Sequence, residues 1–158
     1  MPRPLNYTTR VATDKTIQEC MRALAEAGAD QVSITFAQGV PSGLGFTLRT
    51  PHGPRHFVLP LRVAAVQKRI GDAIDEDRPH VTAAQVARYR SAEHAAAVAW
   101  RVLRDWLVAT LDLLATEAVD LPEVMLGWLQ VDQKPDGTAV TLYDNYVARE
   151  QAALEAGG

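Results

Sequence analysis

The sequence contains almost no cysteine and no long apolar run. Cys20 is the single cysteine among 158 residues, so an internal disulfide and the thiolate clusters that hold structural zinc are both excluded. No stretch approaches the roughly 18 uninterrupted apolar residues of a membrane-spanning helix. The N-terminal segment MPRPLNYTTRVATDK also lacks the apolar core of a signal peptide. These absences predict a soluble, cytoplasmic protein with no membrane partner.

Motifs that mark common enzymes and cofactor sites are missing as well. The sequence has no P-loop, no dinucleotide-binding glycine motif, no HExxH and no GxSxG. His52 and His56 flank one turn in PHGPRH, but no third ligand follows at a recognisable spacing, so a metal site has weak support. The sequence therefore predicts no catalytic residue, no cofactor and no metal.

What the sequence does contain is the composition of a globular domain. Apolar residues make up 47% and charged residues 22%, which lies outside the range of disordered chains. A chain of this length corresponds to one ordinary domain. We therefore expect a single domain over residues 1–158, with flexible ends at residues 1–10 and 155–158.

The net charge of −3 conceals an uneven distribution. From Arg49 to Arg104, ten basic residues oppose five acidic ones, a local charge of +5, and the remaining segments carry −8. A basic middle between acidic ends can support a face that binds polyanions. An ordinary solvated surface accounts for the same charges, and both interpretations stay open.

Apolar periodicity in the first part of the chain predicts a helix followed by three strands. Asp14 can cap a helix over residues 15–27, and Gly28 can end it. QVSITFAQ, residues 44–49 and RHFVLP alternate as half-buried strands, and PHGP provides a turn. One face of this meander is apolar, and the other is mostly polar, with Ser33, Thr35, Thr47, Arg49, His56 and Val58.

The rest of the chain is predicted to be mainly helical. Thr82 can start a short capped helix, and Ser91 separates it from a longer helix over about residues 92–117. A short helix from Asp120, a hairpin at PDG and a terminal helix capped by Thr141 follow. The predicted fold class is α+β: an N-terminal helix, a three-stranded antiparallel meander, then several helices including one long central helix.

The stretch AWRVLRDWLVATLDLL could be a nucleic-acid surface or part of the core. Trp100 shares a helical stripe with Leu103 and Leu107, which is typical of core packing. Trp106 lies about 120° away around the helix, so the two indoles cannot form one stacking platform. We therefore interpret the tryptophans as structural.

Five residues are the candidates for binding nucleic acid or another anion. Guanidinium groups and backbone N–H groups converge at the PHGP turn, which favours anion contact there. The long helix adds two arginines, of which Arg101 can pair with Asp105 one turn on. A polar hairpin tip and a solvated helix face are the alternatives. The candidates are Arg49, Arg55, His56, Arg101 and Arg104.

Four stretches, NYTTRVATDKT, LRTPHGPRHFVLP, AWRVLRDWL and LPEVMLGWLQV, together resemble an uncharacterised family of short proteins encoded by bacteriophages and mobile elements. The likeness spans about residues 6–146, and the shared stretches look structural rather than catalytic. The family has no assigned activity. The resemblance implies an accessory protein in the cytoplasm of a bacterial host, where such proteins handle DNA or interfere with host machinery.

Two function hypotheses follow. The first is an accessory protein that binds nucleic acid, possibly single-stranded DNA during recombination or annealing, because a meander backed by helices is analogous to the core of single-strand annealing proteins. The alternative is an anti-defence-type sequestration protein that binds a host protein or a small anionic ligand. Basic charge on one sheet face would favour the first, and a pocket with converging arginines the second. Open sheet edges also predict a homo-oligomer.

Overall fold

A computed structural model describes residues 6–76 and 80–157 and confirms the α+β class. Its elements are α1 (Thr13–Glu26), β1 (Gln31–Ala37), β2 (Val40–Thr50), β3 (Gly53–Pro60), α2 (Val63–Glu76), α3 (Ala83–Tyr89), α4 (Ala92–Ala115), α5 (Leu121–Met125), β4 (Gln130–Gln133), β5 (Ala139–Thr141) and α6 (Leu142–Ala156). Of the ends expected to be flexible, residues 1–5 and 158 lie outside the described residues. Residues 155 and 156 belong to α6.

The sheet is an antiparallel meander in the order β1-β2-β3. Its register places Val32, Phe46 and Phe57 in one cross-strand row, and Ser33, Gly45 and Val58 in the next. Because successive side chains point to opposite faces, the first row belongs to the apolar face and the second to the polar face. The two-faced meander predicted from the alternation is therefore present.

Helices α1 and α4 cover the apolar face of the sheet. Trp100 is fully buried there, and its indole N–H donates to the carbonyl of Pro41 at 2.9 Å. Phe46 and Phe57 stack beneath it with ring centroids 5.7 Å apart. Trp106 lies at the edge of this core, edge-on to Trp128. Both tryptophans of α4 thus have packing roles.

Side-chain caps mark the starts of several later helices, whereas α1 begins after Ala12 without one, and Asp14, the cap expected from the sequence, lies in its first turn. The Ser91 hydroxyl accepts from the backbone N–H of His94, which separates α3 from α4 as the sequence predicted. Thr82 and Thr141 each complete a capping box with the residue three positions later. These interactions satisfy N–H groups that have no partner inside the helix.

A second, smaller core joins α2, α3 and the first half of α4. It contains Ile70, Ile74, Tyr89, Ala95 and Val98. The small side chains at positions 95–99 of α4 are all buried, which allows α2 to pack closely against this helix. Helix α2 is thereby held next to the polar face of the sheet.

Candidate functional site: a cleft over the polar face of the sheet

The polar face of the sheet forms the floor of a cleft of about 1520 Å³, which we call the sheet-face cleft. Part of its wall is formed by α2 and α4, and another part by the β4–β5 hairpin and the start of α6. Leu129 holds the hairpin part in place, because it bridges to Phe57 of β3 and its carbonyl accepts from the N–H of Leu142 at 2.9 Å.

Two glycines of the middle strand make a shallow trough in the floor of the cleft. Gly43 and Gly45 lie between Thr35 and Ser33 on β1 and the side chains of β3. A Cβ atom added at Gly45 would lie 2.5 Å from the Ser33 hydroxyl and 3.2 Å from His56 Nε2. Polar side chains from both outer strands therefore lean over the middle strand, and only glycine leaves them room.

Among the described residues that line this floor, His56 is the titratable one. Its Nδ1 exchanges a hydrogen bond with the hydroxyl of Thr47 at 2.9 Å, its cross-strand neighbour. Burial lowers the pKa of His56 below its usual value, so the ring is neutral near pH 7. Nε2 then offers a donor or an acceptor on the side where the Ser33 hydroxyl lies.

The floor presents hydrogen-bonding groups to the cleft. A serine nucleophile needs a hydrogen bond to its base, and in the described part of the chain Ser33 and His56 make none with each other. Likewise, no group of three or more His, Cys, Asp or Glu residues suited to a metal ion occurs within residues 6–76 and 80–157. The geometry offers recognition of a polar group.

The walls of the cleft carry apolar surface and opposite charges. Val102 and Trp128 contribute apolar area on the two sides. The α2 side presents two basic side chains, and the hairpin and α6 side two carboxylates: Arg62, Arg69, Asp136 and Asp144. Hydrogen bonds from the backbone N–H and hydroxyl of Thr141 lower the pKa of Asp144, and Arg62 adds a smaller electrostatic contribution.

The five residues singled out in the sequence are not brought together. His56 alone lines the sheet-face cleft, whereas Arg49 and Arg104 line a separate cavity of about 970 Å³ formed by α1, the end of β2 and the second half of α4. Arg55 lies near the β2–β3 turn and donates to the carbonyl of Pro54. Arg101 lines neither cavity.

The arginines of α4 are engaged in an ion-pair network. Arg101 and Arg104 both approach the same Glu19 oxygen at 2.9 Å, and Asp105 pairs with Arg104 at 3.1 Å. The spacing suggested that Arg101 pairs with Asp105 within α4. Arg101 instead contacts Glu19, 82 residues away in sequence. Their side chains are only 21% and 31% exposed, so these guanidinium groups connect α4 to α1.

Most basic residues of the middle segment are paired in the same way. Six of the ten form ion pairs, and Arg78 lies outside the described residues; the six are Arg49, Lys68, Arg69, Arg90, Arg101 and Arg104. The second cavity is also lined by more acids than arginines, with Glu19, Glu26, Asp112, Glu117 and Asp120 beside Arg22, Arg49 and Arg104. Among the ion-pair partners of these basic residues, Glu19, Asp30 and Asp105 lie outside the Arg49–Arg104 segment and offset part of its +5 excess, whereas the partners inside the segment are already counted in it.

Cys20 takes no part in either cavity. It is fully buried between α1 and the sheet, and burial raises the pKa of its thiol to about 11. A thiol in this state is unreactive near neutral pH. Within the ranges that the structure describes, no helix has the length and apolar character needed to span a membrane.

Sequence reasoning found the polar floor but not the cleft above it. Ser33, Thr35 and His56 were already visible as one face of the predicted meander. The alternation of Gly43 and Gly45 with large apolar residues was the available signal for a trough. The hairpin and α6, which supply Asp136 and Asp144, gave no local sign that they would pack beside β3.

Comparisons with protein-family models, with curated proteins and with solved structures gave no match for this chain. The site is consequently interpreted from its own geometry and chemistry. Together, fold and site define an α+β protein whose three-stranded sheet is covered on its apolar face and open to a cleft on its polar face.

Proposed function

We propose that this protein is a binding protein of the sequestration class, which holds a small organic anion in the sheet-face cleft. The observation that carries this proposal is the glycine trough flanked by Ser33 and His56, above which apolar and basic side chains line the same space. Ligand sites commonly combine mostly apolar walls with a few placed polar groups.

The lining of the cleft determines which ligand chemistry fits it. The trough can take a polar group that exchanges hydrogen bonds with the Ser33 hydroxyl and His56 Nε2. Val102 and Trp128 can pack against an aliphatic or aromatic body. Arg62 on the α2 side can attract an anionic group. The best fit is therefore an anion with a flat or apolar body, such as a nucleotide or an aromatic carboxylate.

Single-stranded DNA, the partner that the sequence put first, has less support. Its binding depends on several unpaired basic groups along one surface, because phosphate neutralisation supplies most of the affinity. Arg101 and Arg104 already share Glu19, and Arg49 contacts Asp30 at 3.5 Å.

The test is a ligand panel measured by tryptophan fluorescence and calorimetry. The panel contains a mononucleotide, a dinucleotide, an aromatic carboxylate, a fatty acid and a neutral analogue of each. Trp128 lines the cleft, so an occupant should change its emission. We expect at least one anion to bind, and its neutral analogue to bind about tenfold more weakly or worse.

Two matched variants locate the binding. Val102 is 37% exposed in the cleft, whereas Leu113 is 43% exposed on the same helix and lines neither cavity. Val102→Glu should weaken binding at least about tenfold, equivalent to about 1.4 kcal/mol, and Leu113→Glu should leave it unchanged. The proposal is wrong if no panel member binds, or if both variants bind as tightly as the wild type.

A labelled oligonucleotide titrated at two salt concentrations tests the DNA hypothesis separately. We expect no change in anisotropy at low salt with protein at tens of micromolar. Binding that weakens steeply with salt, with a log–log slope of about 0.7 per neutralised phosphate, would instead favour the nucleic-acid role. Loss of that binding in an Arg49→Ala/Arg55→Ala variant would then locate it at the β2–β3 turn.

A further inference from the structure

We propose that β1 is a dimerisation strand: it pairs antiparallel with β1 of a second copy, so that two meanders join into one six-stranded sheet. This inference does not depend on the ligand proposed for the cleft. β1 is at the outside of the sheet, and in the described part of the chain β2 is its single strand partner. The opposite outer strand, β3, has its free side bridged by Leu129.

The unpaired edge of β1 lacks the charge and the proline that commonly block strand addition, and the one irregularity in its pairing with β2 falls between Thr35 and Phe36. Natural edge strands carry charged residues, proline or a very short length, because an exposed row of N–H and C=O groups recruits further strands. β1 is the seven-residue segment QVSITFA, without a charge, a proline or a glycine. At about 3.3 Å per residue it presents roughly 23 Å of backbone.

The sequence of β1 is complementary to itself in one register. Only a two-fold axis at Ile34 lets all seven residues pair with the other copy. That axis places Val32 opposite Phe36 of the second copy, and Ser33 opposite Thr35. Every pair then joins residues of the same face, because the two paired positions differ from each other by an even number.

Exposed apolar surface on β1 supports a second copy as the occupant. Phe36 is 63% exposed, so covering it in a dimer would remove a large apolar area from water. In the proposed register, Val32 of the other copy covers it, as an aromatic and β-branched cross-strand pair. No charged residue of one β1 meets a charged residue of the other, so the pairing meets no electrostatic repulsion.

The proposed dimer also places both sheet-face clefts on the same side. The two-fold axis of an antiparallel edge pair is perpendicular to the sheet, so the polar face of one meander continues into the polar face of the other. Ser33 and Thr35 of both copies then form one row of hydroxyl groups across the junction. The two troughs lie on either side of that row.

Sedimentation velocity from about 1 to 300 μM tests the association. We expect a dimer for the wild type, and a dissociation constant raised at least about tenfold by Phe36→Lys. Tyr146→Lys is the matched control, since Tyr146 is 59% exposed on α6, away from the sheet. A wild type that stays monomeric throughout, or a Phe36→Lys variant that dimerises as tightly as Tyr146→Lys, would overturn the proposal.

Single-cysteine variants test the register. The native Cys20 is fully buried, so an introduced thiol is the one available for oxidation. Ile34→Cys places the two sulfurs at the two-fold axis, where opposite Cβ atoms are about 4.5 to 5.5 Å apart, and it should form a disulfide dimer readily. Val32→Cys is the control, because Val32 lies opposite Phe36 of the second copy, four positions away from that copy's own Val32.

Each result in the cross-linking experiment has a defined meaning. A disulfide dimer of Ile34→Cys with little or none of Val32→Cys supports pairing about Ile34, and a mixture of Val32→Cys and Phe36→Cys should then cross-link as well. Equal cross-linking of the Ile34 and Val32 variants would show that β1 does not pair in this register. Circular dichroism of each variant checks that the fold is intact.

Discussion

The two faces of the three-stranded sheet are built from the same strands but differ in almost every physical property. On one face, Leu44, Phe46 and Phe57 are at most 1% exposed beneath α1 and α4. On the other, Ser33 and Thr35 lie along an open cleft. The apolar face buries the large side chains that stabilise the fold, which leaves the polar face free to interact with other molecules.

The middle strand shows how one segment serves both faces. In β2, Gly43 and Gly45 alternate with Leu44 and Phe46, so the strand is bulky on one side and bare on the other. Glycine in a strand interior lowers stability and commonly marks a close approach by other groups. The cleft therefore exists because side-chain volume is absent from the middle of its floor.

The largest effect is expected from a truncation on the apolar face. Trp100→Ala should lower the free energy of unfolding by about 3 to 5 kcal/mol, because it removes a large buried side chain. It also leaves the Pro41 carbonyl without the indole donor that it now accepts from at 2.9 Å. Urea denaturation of the wild type and the variant measures the change.

Trp106→Ala is the matched comparison, since that indole is only partly buried where it meets Trp128. Its effect should be clearly smaller than that of Trp100→Ala. Equal losses from the two variants would contradict a core centred on Trp100. A stable Trp100→Ala variant with altered ligand binding would mean that the tryptophan acts in recognition.

A smaller effect is expected from filling the trough on the polar face. Gly45→Val should cost about 1 to 3 kcal/mol as an overpacking substitution, because even the first added carbon would lie 3.2 Å from His56 Nε2. His56 cannot withdraw without losing its contact with Thr47. Thermal unfolding gives the stability change, and the ligand panel should show weaker binding.

Gly43→Ala serves as the control for that variant. Its added Cβ would lie 3.3 Å from the Cβ of Thr35, a contact that a small shift of β1 can relieve, so the loss should be well below that of Gly45→Val. If the two substitutions were equally tolerated, the trough would not be held open by close packing of polar side chains.

Features that depend on neighbouring residues were predictable from the sequence. The Ser91 cap needs only the backbone of His94, and the capping box at Thr141 needs only Asp144. Likewise, alternation in β1, β2 and β3 reports directly which face each side chain occupies. For these reasons the element order and the two-faced meander could be predicted without knowledge of tertiary packing.

The binding surface could not be predicted in the same way, because its geometry depends on contacts between distant segments. Glu19 meets Arg101 across 82 residues, and no spacing rule links these positions. The same is true of Leu129 and Phe57, whose bridge sets the hairpin beside β3. Charge counted along the chain therefore suggested a basic face, whereas the fold pairs most of those charges internally.

The smallest expected effect that distinguishes the two faces is the pH dependence of the protein's stability. Burial lowers the pKa of His56 below its usual 6.5, so between the lowered pKa and 6.5 the unfolded chain binds more protons than the folded one. The stabilisation is therefore fully present above pH 6.5 and is lost as the pH falls through the lowered pKa.

Buried His94 in the second core also has a pKa lowered by burial, so both histidines contribute in the same direction. Among the described residues buried on the apolar face, the titratable side chain is Cys20, whose pKa of about 11 lies outside this range. We expect the thermal midpoint to fall as the pH is lowered from 7.5 to 5.0, and to fall less in His56→Gln and in His94→Gln. If His56→Gln kept the full pH dependence of the wild type, the imidazole on the cleft floor would not be the neutral, partly buried group described for it.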